Sequence, residues 1–277
     1  MTTAGASPHP STGRLPAVLL GAAHPVPALA VTVLAGLLAA ATGLSPARTT
    51  LVVAAVLTGQ LSIGWSNDLL DVGRDRRAGR LDKPLATGAL PLNAARVACL
   101  LVVVVTVPLG LGCGVAAGVT HLVCTGAGWV YNLGLKASVW SWAPYAVCFG
   151  GLPFFVSLAQ QPAGLPPAWQ PAAGALLGIG AHFLNVLPDL ADDAATGVRG
   201  LPHRLGVRWT PPVGTGVLVL ASVVVVTGAG VALLPALVVL VLVAVLAVAA
   251  LVGDGRRPFL AAIGIALVDV VILVGAR

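Results

Sequence analysis

Three stretches of this sequence, 96–111, 213–228 and 233–252, contain almost no charged residue. A helix crosses the hydrocarbon core of a bilayer with roughly 20 apolar residues, and these runs approach or reach that length. The composition points the same way. Hydrophobic residues make up 58% of the 277 and charged residues 9%, where a soluble domain carries about 25% charged. Too few polar side chains remain to cover a water-facing surface, so lipid must cover it. Nine apolar segments are expected: about 15–43, 48–66, 92–111, 114–133, 139–158, 169–188, 211–230, 233–252 and 258–274. The expected fold is therefore an all-α integral membrane bundle of about nine transmembrane helices, forming a single domain over 14–277. The first segment is irregular, with His24-Pro25 and Pro27 inside it. It reads as a kinked span, or as a short interfacial piece followed by a span. The polar, Pro/Ser/Thr-containing residues 1–13 are expected to be disordered. They carry no basic residue, which speaks against a signal peptide.

Basic residues set the expected orientation. Arg14 precedes the first segment. Arg74, Arg76, Arg77, Arg80, Lys83 and Arg96 lie between the second and third, and Lys136 between the fourth and fifth. Arg199, Arg204 and Arg208 follow the sixth, and Arg256 and Arg257 follow the eighth. Of the fifteen Lys and Arg residues, only Arg48 and Arg277 fall on the other side. The excess of Lys and Arg in cytoplasmic loops then puts the N-terminus inside and the C-terminus outside, in the plasma membrane. The net charge of +6 is explained by a cytoplasmic face beside anionic lipid and implies no nucleic acid; no protein partner is implied either. Cys99, Cys113, Cys124 and Cys148 are scattered through apolar segments without a CxxC pair and read as small buried residues. Gly110/Gly114 and Gly174/Gly178 form GxxxG pairs that suit close helix packing.

The acidic residues are concentrated. There are nine, all Asp, and seven of them sit in two segments: Asp68, Asp71, Asp75 and Asp82, then Asp189, Asp192 and Asp193. The first segment reads NDLLDVGRDRRAGRLDKPLATG from Asn67; the second reads NVLPDLADDAATGVRGLPHRLG from Asn185. Both contain N-x3-D-x3-D, as Asn67, Asp71, Asp75 and Asn185, Asp189, Asp193. Both follow an even-numbered apolar segment, so they form two matched loops at 67–90 and 185–208. In a helix, residues i, i+4 and i+8 drift by only about 40° per step and share one face. Each segment is thus expected to present an amide and two carboxylates in a row. Two such rows facing each other make a set of hard oxygen ligands with no His or Cys, which suits Mg²⁺. Mg²⁺ keeps few protein ligands and shares its shell with substrate phosphates, for which Arg80, Lys83 and Arg199 are candidate partners. Solvated loop charges would account for one such motif; two in equivalent positions, holding most of the acid, argue for a site.

These residues resemble the UbiA superfamily of intramembrane prenyltransferases. NDLLDVGRD is similar to that family's first signature, NDxxDxxxD, with its downstream basic-Pro-Leu element present as Lys83-Pro84-Leu85. NVLPDLADD is similar to its second, a DxxxD preceded by Asn. The resemblance covers roughly 14–274. It implies a helical bundle around a cavity open to the bilayer. It also implies Mg²⁺ held by Asn67, Asp68, Asp71, Asp75, Asn185, Asp189 and Asp193, with Asp71, Asp75, Asp189 and Asp193 catalytic. Arg80, Lys83 and Arg199 would bind the diphosphate. Tyr131 and Lys136 resemble the family's Tyr/Lys element, one residue longer than its usual YxxxK spacing, and would bind the diphosphate as well. The implied activity is transfer of an isoprenyl group from a prenyl diphosphate to a small-molecule acceptor, an aromatic ring of a quinone-type pathway or of a specialised metabolite. A membrane terpene cyclase of the same superfamily and a secondary transporter are the competing readings. The transporter reading is disfavoured because the charges cluster at one membrane face and not at the midplane.

Lesser candidates remain. Asp269 inside the last segment is costly in lipid and is expected to face the bundle interior, paired with His24, His121 or His182. Trp65, Trp129, Trp140, Trp142 and Trp169 fall near segment ends and are expected to anchor at the interface. Asn132 reads either as polar glue or as a substrate contact.

Overall fold

The computed structural model describes residues 15–275. The expected disordered tail 1–13 lies outside them, as do Arg14 and Arg277. Among the described residues all regular structure is helical. The helices are α1 (Leu15–Ala22), α2 (Pro25–Ala41), α3 (Pro46–Arg77), α4 (Pro84–Thr87), α5 (Leu92–Gly112), α6 (Val115–Leu133), α7 (Ala143–Leu158), α8 (Trp169–Asn185), α9 (Leu190–Ala195), α10 (Leu201–Gly228), α11 (Leu233–Val252) and α12 (Arg257–Gly275). Among the described residues five helical stretches are long and apolar enough to cross a membrane, α3, α5, α8 continued through α9, α10 and α11, and six if the bent pair α1–α2 is counted as one span.

The long helices pack as a ring. α2 lies on α3, α3 on α5 and α6, α6 on α7, α7 on α8, α8 on α10, and α10 on α11; α11 lies on α12, which closes back onto α2. Small residues permit the close approaches. A methyl group on Gly174 or Gly178 would lie 2.4 Å from a carbonyl oxygen of α7, so α8 meets α7 along that stripe. The other GxxxG pair divides its work. Gly110 faces Gly118 of α6, whereas Gly114 is the left-handed residue of the tight turn between α5 and α6 (φ 117°). The outer faces of α5 and α11 are apolar, with Leu100, Leu101, Val104, Val241, Val245 and Val248 exposed. At the ends of α5 and α7, Arg48 Nη1 donates to the carbonyls of Cys113 (3.4 Å) and Ala159 (2.6 Å), closing two helix C-termini with one guanidinium.

The irregular first segment is a corner. α1 and α2 meet at 74°, and His24 between them is left-handed (φ 53°). Pro25 supplies the first residue of α2, where a missing N–H costs nothing. The corner is held on α3. Trp65 Nε1 donates to the Leu19 carbonyl at 2.8 Å, and Gly64 lets the Ala23 carbonyl approach so closely that a methyl group there would sit 2.3 Å from its oxygen. Trp65 is consequently buried and is no interfacial anchor. Trp129 Nε1 also turns inward, to Ser62 Oγ at 3.2 Å.

Candidate active site

The ring encloses a cavity of about 560 Å³. One end is polar, lined by Asn67, Asp68, Asp71, Asp75, Asn185, Asp189 and Asp193 with Arg74, Arg80, Lys83, Lys136 and Tyr131. The rest is apolar, with Val31, Leu34, Val56, Phe149, Leu152, Phe155, Leu177 and Ile263 among its walls.

The first acidic segment forms as its spacing predicts. α3 continues unbroken to Arg77, so Asn67, Asp71 and Asp75 share one helical face. Asp68, Asp71 and Asp75 are all buried. α3 then ends on Gly79 in the left-handed region (φ 66°), and Arg80 N–H donates back to the Asp75 carbonyl at 3.0 Å. That turn aims the Arg80 side chain across the cavity mouth. Farther on, Pro84 forces Lys83 into extended backbone (φ −102°, ψ 108°), and buried Leu85 anchors the loop. The Lys83 ammonium therefore returns to α3, where Nζ donates to Asp68 Oδ1 at 2.7 Å. His24 Nε2, delivered by the α1–α2 corner, lies 2.8 Å from the same oxygen.

The second segment departs from the expected helical row. α8 stops at Asn185, a 3₁₀ turn covers Leu187–Asp189, and α9 begins at Leu190. Pro188 explains the break: it has no N–H for an i−4 bond and disfavours a helical Leu187. Asn185, Asp189 and Asp193 still reach the cavity, from three separate local structures.

The two segments are joined by arginines. Arg74 Nη2 lies 2.9 Å from Asp71 Oδ2 and 3.6 Å from Asp193 Oδ1. Arg80 donates to both oxygens of Asp82 at 2.9 Å and, through Nη1, to Asp189 Oδ1 at 3.0 Å. The two bonds from Arg80 hold the Asp82 carboxyl down at about 2, and the paired carboxylates raise the Arg80 guanidinium further above its usual range. Lys136, in a 3₁₀ turn after α6, bonds through Nζ to Asp71 Oδ2 and reaches Asn67 Oδ1 at 3.4 Å. Asp193 is also held by His203 Nε2 at 3.3 Å. Asp75 is the exception: among the described residues its buried carboxylate has no ion-pair partner.

The donor set fits a hard divalent cation in chemistry, since every candidate ligand offers oxygen. It is not a preformed cage. Among the described residues no three carboxylate, imidazole or thiol groups converge as a metal cluster, because Arg74, Arg80, Lys83 and Lys136 are interleaved with the carboxylates. Such interleaving suits an ion that takes few protein ligands and shares its shell with phosphate.

Not every expected residue arrives. Arg199 is exposed and away from the cavity; only its backbone carbonyl is engaged, by Arg204 Nε at 3.2 Å. Gly197 (φ 88°) caps α9 as Gly79 caps α3, but there Val198 N–H donates back to the Asp193 carbonyl at 2.8 Å, so Val198 takes the place that Arg80 holds and Arg199 falls one residue beyond it. Arg74, one of the basic residues expected only to mark the cytoplasmic face, takes the bridging position instead. Tyr131 lines the cavity, edge-on to Tyr145 with ring centres 5.3 Å apart; Tyr145 is a lining residue that sequence reasoning missed. Asn132 is glue: its Nδ2 donates to the Ile63 carbonyl and to Ser66 Oγ, both at 2.8 Å, tying α6 to α3. Asp269 is buried but pairs with no histidine; Ser222 Oγ of α10 donates to its Oδ2 at 2.9 Å.

The sequence pattern of the UbiA prenyltransferase family matches residues 29–262, most of the chain. The chain belongs to the UbiA prenyltransferase family. The bacteriochlorophyll synthase 33 kDa chain of Cereibacter sphaeroides is 31% identical over 183 residues, 62% of this chain; the match spans 60% of that relative's length. Among solved structures, a UbiA homolog from Archaeoglobus fulgidus bound to DMAPP and Mg²⁺ superposes with a TM-score of 0.71 at 17% identity, covering 93% of this chain and 96% of that one. The same homolog bound to GPP and Mg²⁺ gives 0.69 at 16%, with 94% and 97% covered. The apo structure of a UbiA homolog from Aeropyrum pernix K1 gives 0.71 at 15%, with 94% and 98% covered. At these identities the likeness is one of fold, and that fold is the UbiA helical bundle.

Proposed function

We propose that this UbiA-family chain is a Mg²⁺-dependent enzyme that moves an isoprenyl group from a prenyl diphosphate to a small-molecule acceptor, and that the acceptor is aromatic. The observation that carries the reading is one cavity in which a wall of carboxylates and cations opens directly into an apolar chamber. A diphosphate matches the first part and an isoprenyl tail the second. The solved homologs bound to GPP or DMAPP with Mg²⁺ support the same donor and cation.

In this reading Asn67, Asp68, Asp71, Asp75, Asn185, Asp189 and Asp193 are the oxygen ligands available to the ion. Bound Mg²⁺ would supply a Lewis acid that offsets charge on the leaving diphosphate. The chain's own cations do the rest. Lys136 and Arg74 share Asp71 Oδ2, and Lys83 is on Asp68; with those carboxylates holding the ion, each would be free to bind a diphosphate oxygen. Arg80 stays on Asp82 and Asp189 and closes the mouth over the donor. As the allylic C–O bond breaks, the electron pair leaves with the diphosphate oxygen, and these N–H donors stabilise the charge that develops there. The allylic carbon then bonds to the acceptor, which loses a proton. Tyr131 and Tyr145 place aromatic rings in the cavity wall beside the charged groups, an environment favourable to a cation-like carbon.

The chain is read as one domain over 14–277 crossing the plasma membrane nine times, with the N-terminus and the acidic loops cytoplasmic and the C-terminus outside. The asymmetry of Lys and Arg supports that orientation. The test is incubation of purified protein with Mg²⁺, prenyl diphosphates of several lengths and candidate aromatic acceptors, followed by mass spectrometry. A prenylated acceptor is expected. Turnover of the donor to cyclic hydrocarbon alone would make the chain a cyclase, and no diphosphate release would end the reading.

A further inference from the structure

Two turns along α3 from the acidic row, the cavity carries a second set of polar side chains that the transfer chemistry leaves without a task. His121 and Thr125 lie one turn apart on α6 and both abut Gly59 of α3. A methyl group on Gly59 would fall 2.9 Å from Thr125 Oγ1, 3.1 Å from His121 Cε1 and 3.3 Å from His121 Nε2. Gly110 leaves room on another side of the imidazole, at 3.3 Å from Cδ2 by the same construction. Gln60 is next to Gly59, and Gln60, His121 and Thr125 all line the cavity.

Each of the three keeps polar capacity that the protein does not use, although the His121 ring also meets the Ala55 backbone. His121 is 5% exposed and its Nε2 has no hydrogen-bond partner. Thr58 and Thr120 nearby bond back to helix carbonyls, as threonines in helices do; Thr125 and the Gln60 amide make no side-chain hydrogen bond among the described residues. A polar group facing an apolar space costs free energy until something pairs with it. An isoprenyl tail offers only carbon and hydrogen and leaves that cost in place. A ligand with its own hydroxyl or carbonyl removes it.

The geometry narrows the class of ligand. Gln60 and Thr125 are uncharged and the set holds no carboxylate, so a neutral group fits it best. Phe155 stacks on His121 with ring centres 4.8 Å apart and 26° between planes, which fixes the imidazole, and both residues line the cavity. Gly59 is eight residues before Asn67, about 12 Å along the helix axis. A planar ring bearing a polar substituent bridges much of that interval, with its reactive edge toward the charged wall. We propose that Gln60, His121 and Thr125 form the acceptor subsite, and that it takes a neutral aromatic ring carrying a hydroxyl or carbonyl group. The inference rests on the transferase reading above and names its acceptor class.

The test pairs dihydroxynaphthalene with its dimethyl ether as probes on the full chain in detergent. Direct binding is measured by fluorescence with geranyl diphosphate and Mg²⁺ present, and geranyl diphosphate cleavage is followed separately. Wild type should bind the dihydroxy compound at least tenfold more tightly. Gln60→Leu, Thr125→Val and His121→Phe should each erase most of that preference while donor KM stays within about twofold. The first two changes are near-isosteric, so folding failure in the His121 variant would leave the comparison intact. Equal binding of the two probes to wild type, or a preference that survives all three changes, overturns the subsite. A rise in donor KM in place of acceptor weakening reassigns the trio to the donor and overturns it as well. If wild type cleaves no geranyl diphosphate but still discriminates the probes through these residues, the subsite stands as a ring-binding site and the transferase reading fails.

Discussion

Lys136→Met removes one charge from the polar end of the cavity and shortens the unbranched side chain by one atom. The ammonium sits against Asp71 Oδ2 and near Asn67 Oδ1, and it is about nine-tenths buried. Asp71 keeps a second partner, Arg74 at 2.9 Å, so the carboxylate is not orphaned and the fold should survive. The functional cost is larger. Two unit charges 4 Å apart interact by about 4 kcal/mol at an effective dielectric constant of about 20. Part of that attraction already exists in the bound ground state, and Arg74, Arg80 and Lys83 remain. A loss of about 2–3 kcal/mol in transition-state stabilisation is left, comparable to removing one oxyanion donor, and equal to roughly a 30- to 150-fold fall in kcat/KM at 1.4 kcal/mol per factor of ten. The assay is diphosphate release from geranyl diphosphate with saturating Mg²⁺, with thermal unfolding in detergent as the control. Both kcat and donor affinity should fall. Unchanged donor kinetics in a folded variant would refute the assignment of Lys136 to the leaving group.

Four other outcomes are expected. Arg199→Ala should leave donor kinetics within about twofold of wild type, since that side chain is outside the cavity; a tenfold loss in the same assay would return Arg199 to the site. Gly64→Val should lower thermal stability and dislodge the α1–α2 corner, because the Ala23 carbonyl cannot retreat from a side chain without moving His24; a normal melting temperature would contradict the close contact. Arg48→Ala should cost about 1.5–3 kcal/mol for a charge-assisted contact to two helix ends, read from denaturant titration, with activity retained below the transition. Asp82 is held at about 2, below its ordinary 3.8, so its pairing with Arg80 stabilises the folded state above about pH 4 and is lost as pH falls toward 2. The difference in melting temperature between wild type and Asp82→Asn should therefore be constant from pH 5 to 8 and shrink below pH 4.

The sequence exposes those parts of the site that follow a single local rule. The row Asn67, Asp71, Asp75 needs only an uninterrupted helix, and nothing between 67 and 77 breaks one. The same spacing from Asn185 contains Pro188, so the periodicity argument does not hold there, although the residues converge on the cavity anyway. Arginines are harder, because their reach depends on how a loop turns. Arg80 and Arg199 look equivalent as letters after an acidic motif, but Arg80 directly follows its cap glycine, Gly79, whereas Val198 stands between Gly197 and Arg199. Arg74 hides within the motif itself, where i+3 from Asp71 looks like a solvated position; its bridge to Asp193 depends on how two distant segments meet. The partner of Asp269 was also out of reach: Ser222 is a single hydroxyl in a valine-rich run, whereas three histidines offered themselves as more conspicuous choices.

The central claim is that the two acidic segments act together on one metal-bound diphosphate. It is tested most directly by the Mg²⁺ dependence of binding of a non-cleavable geranyl thiolodiphosphate to wild type, Asp71→Ala and Asp189→Ala. The account predicts tight binding by wild type only with Mg²⁺, at least a hundredfold weaker binding by each folded variant, and no further loss of comparable size in the double variant. Mg²⁺-independent binding by wild type, or a normal Mg²⁺ response in either single variant, would contradict it.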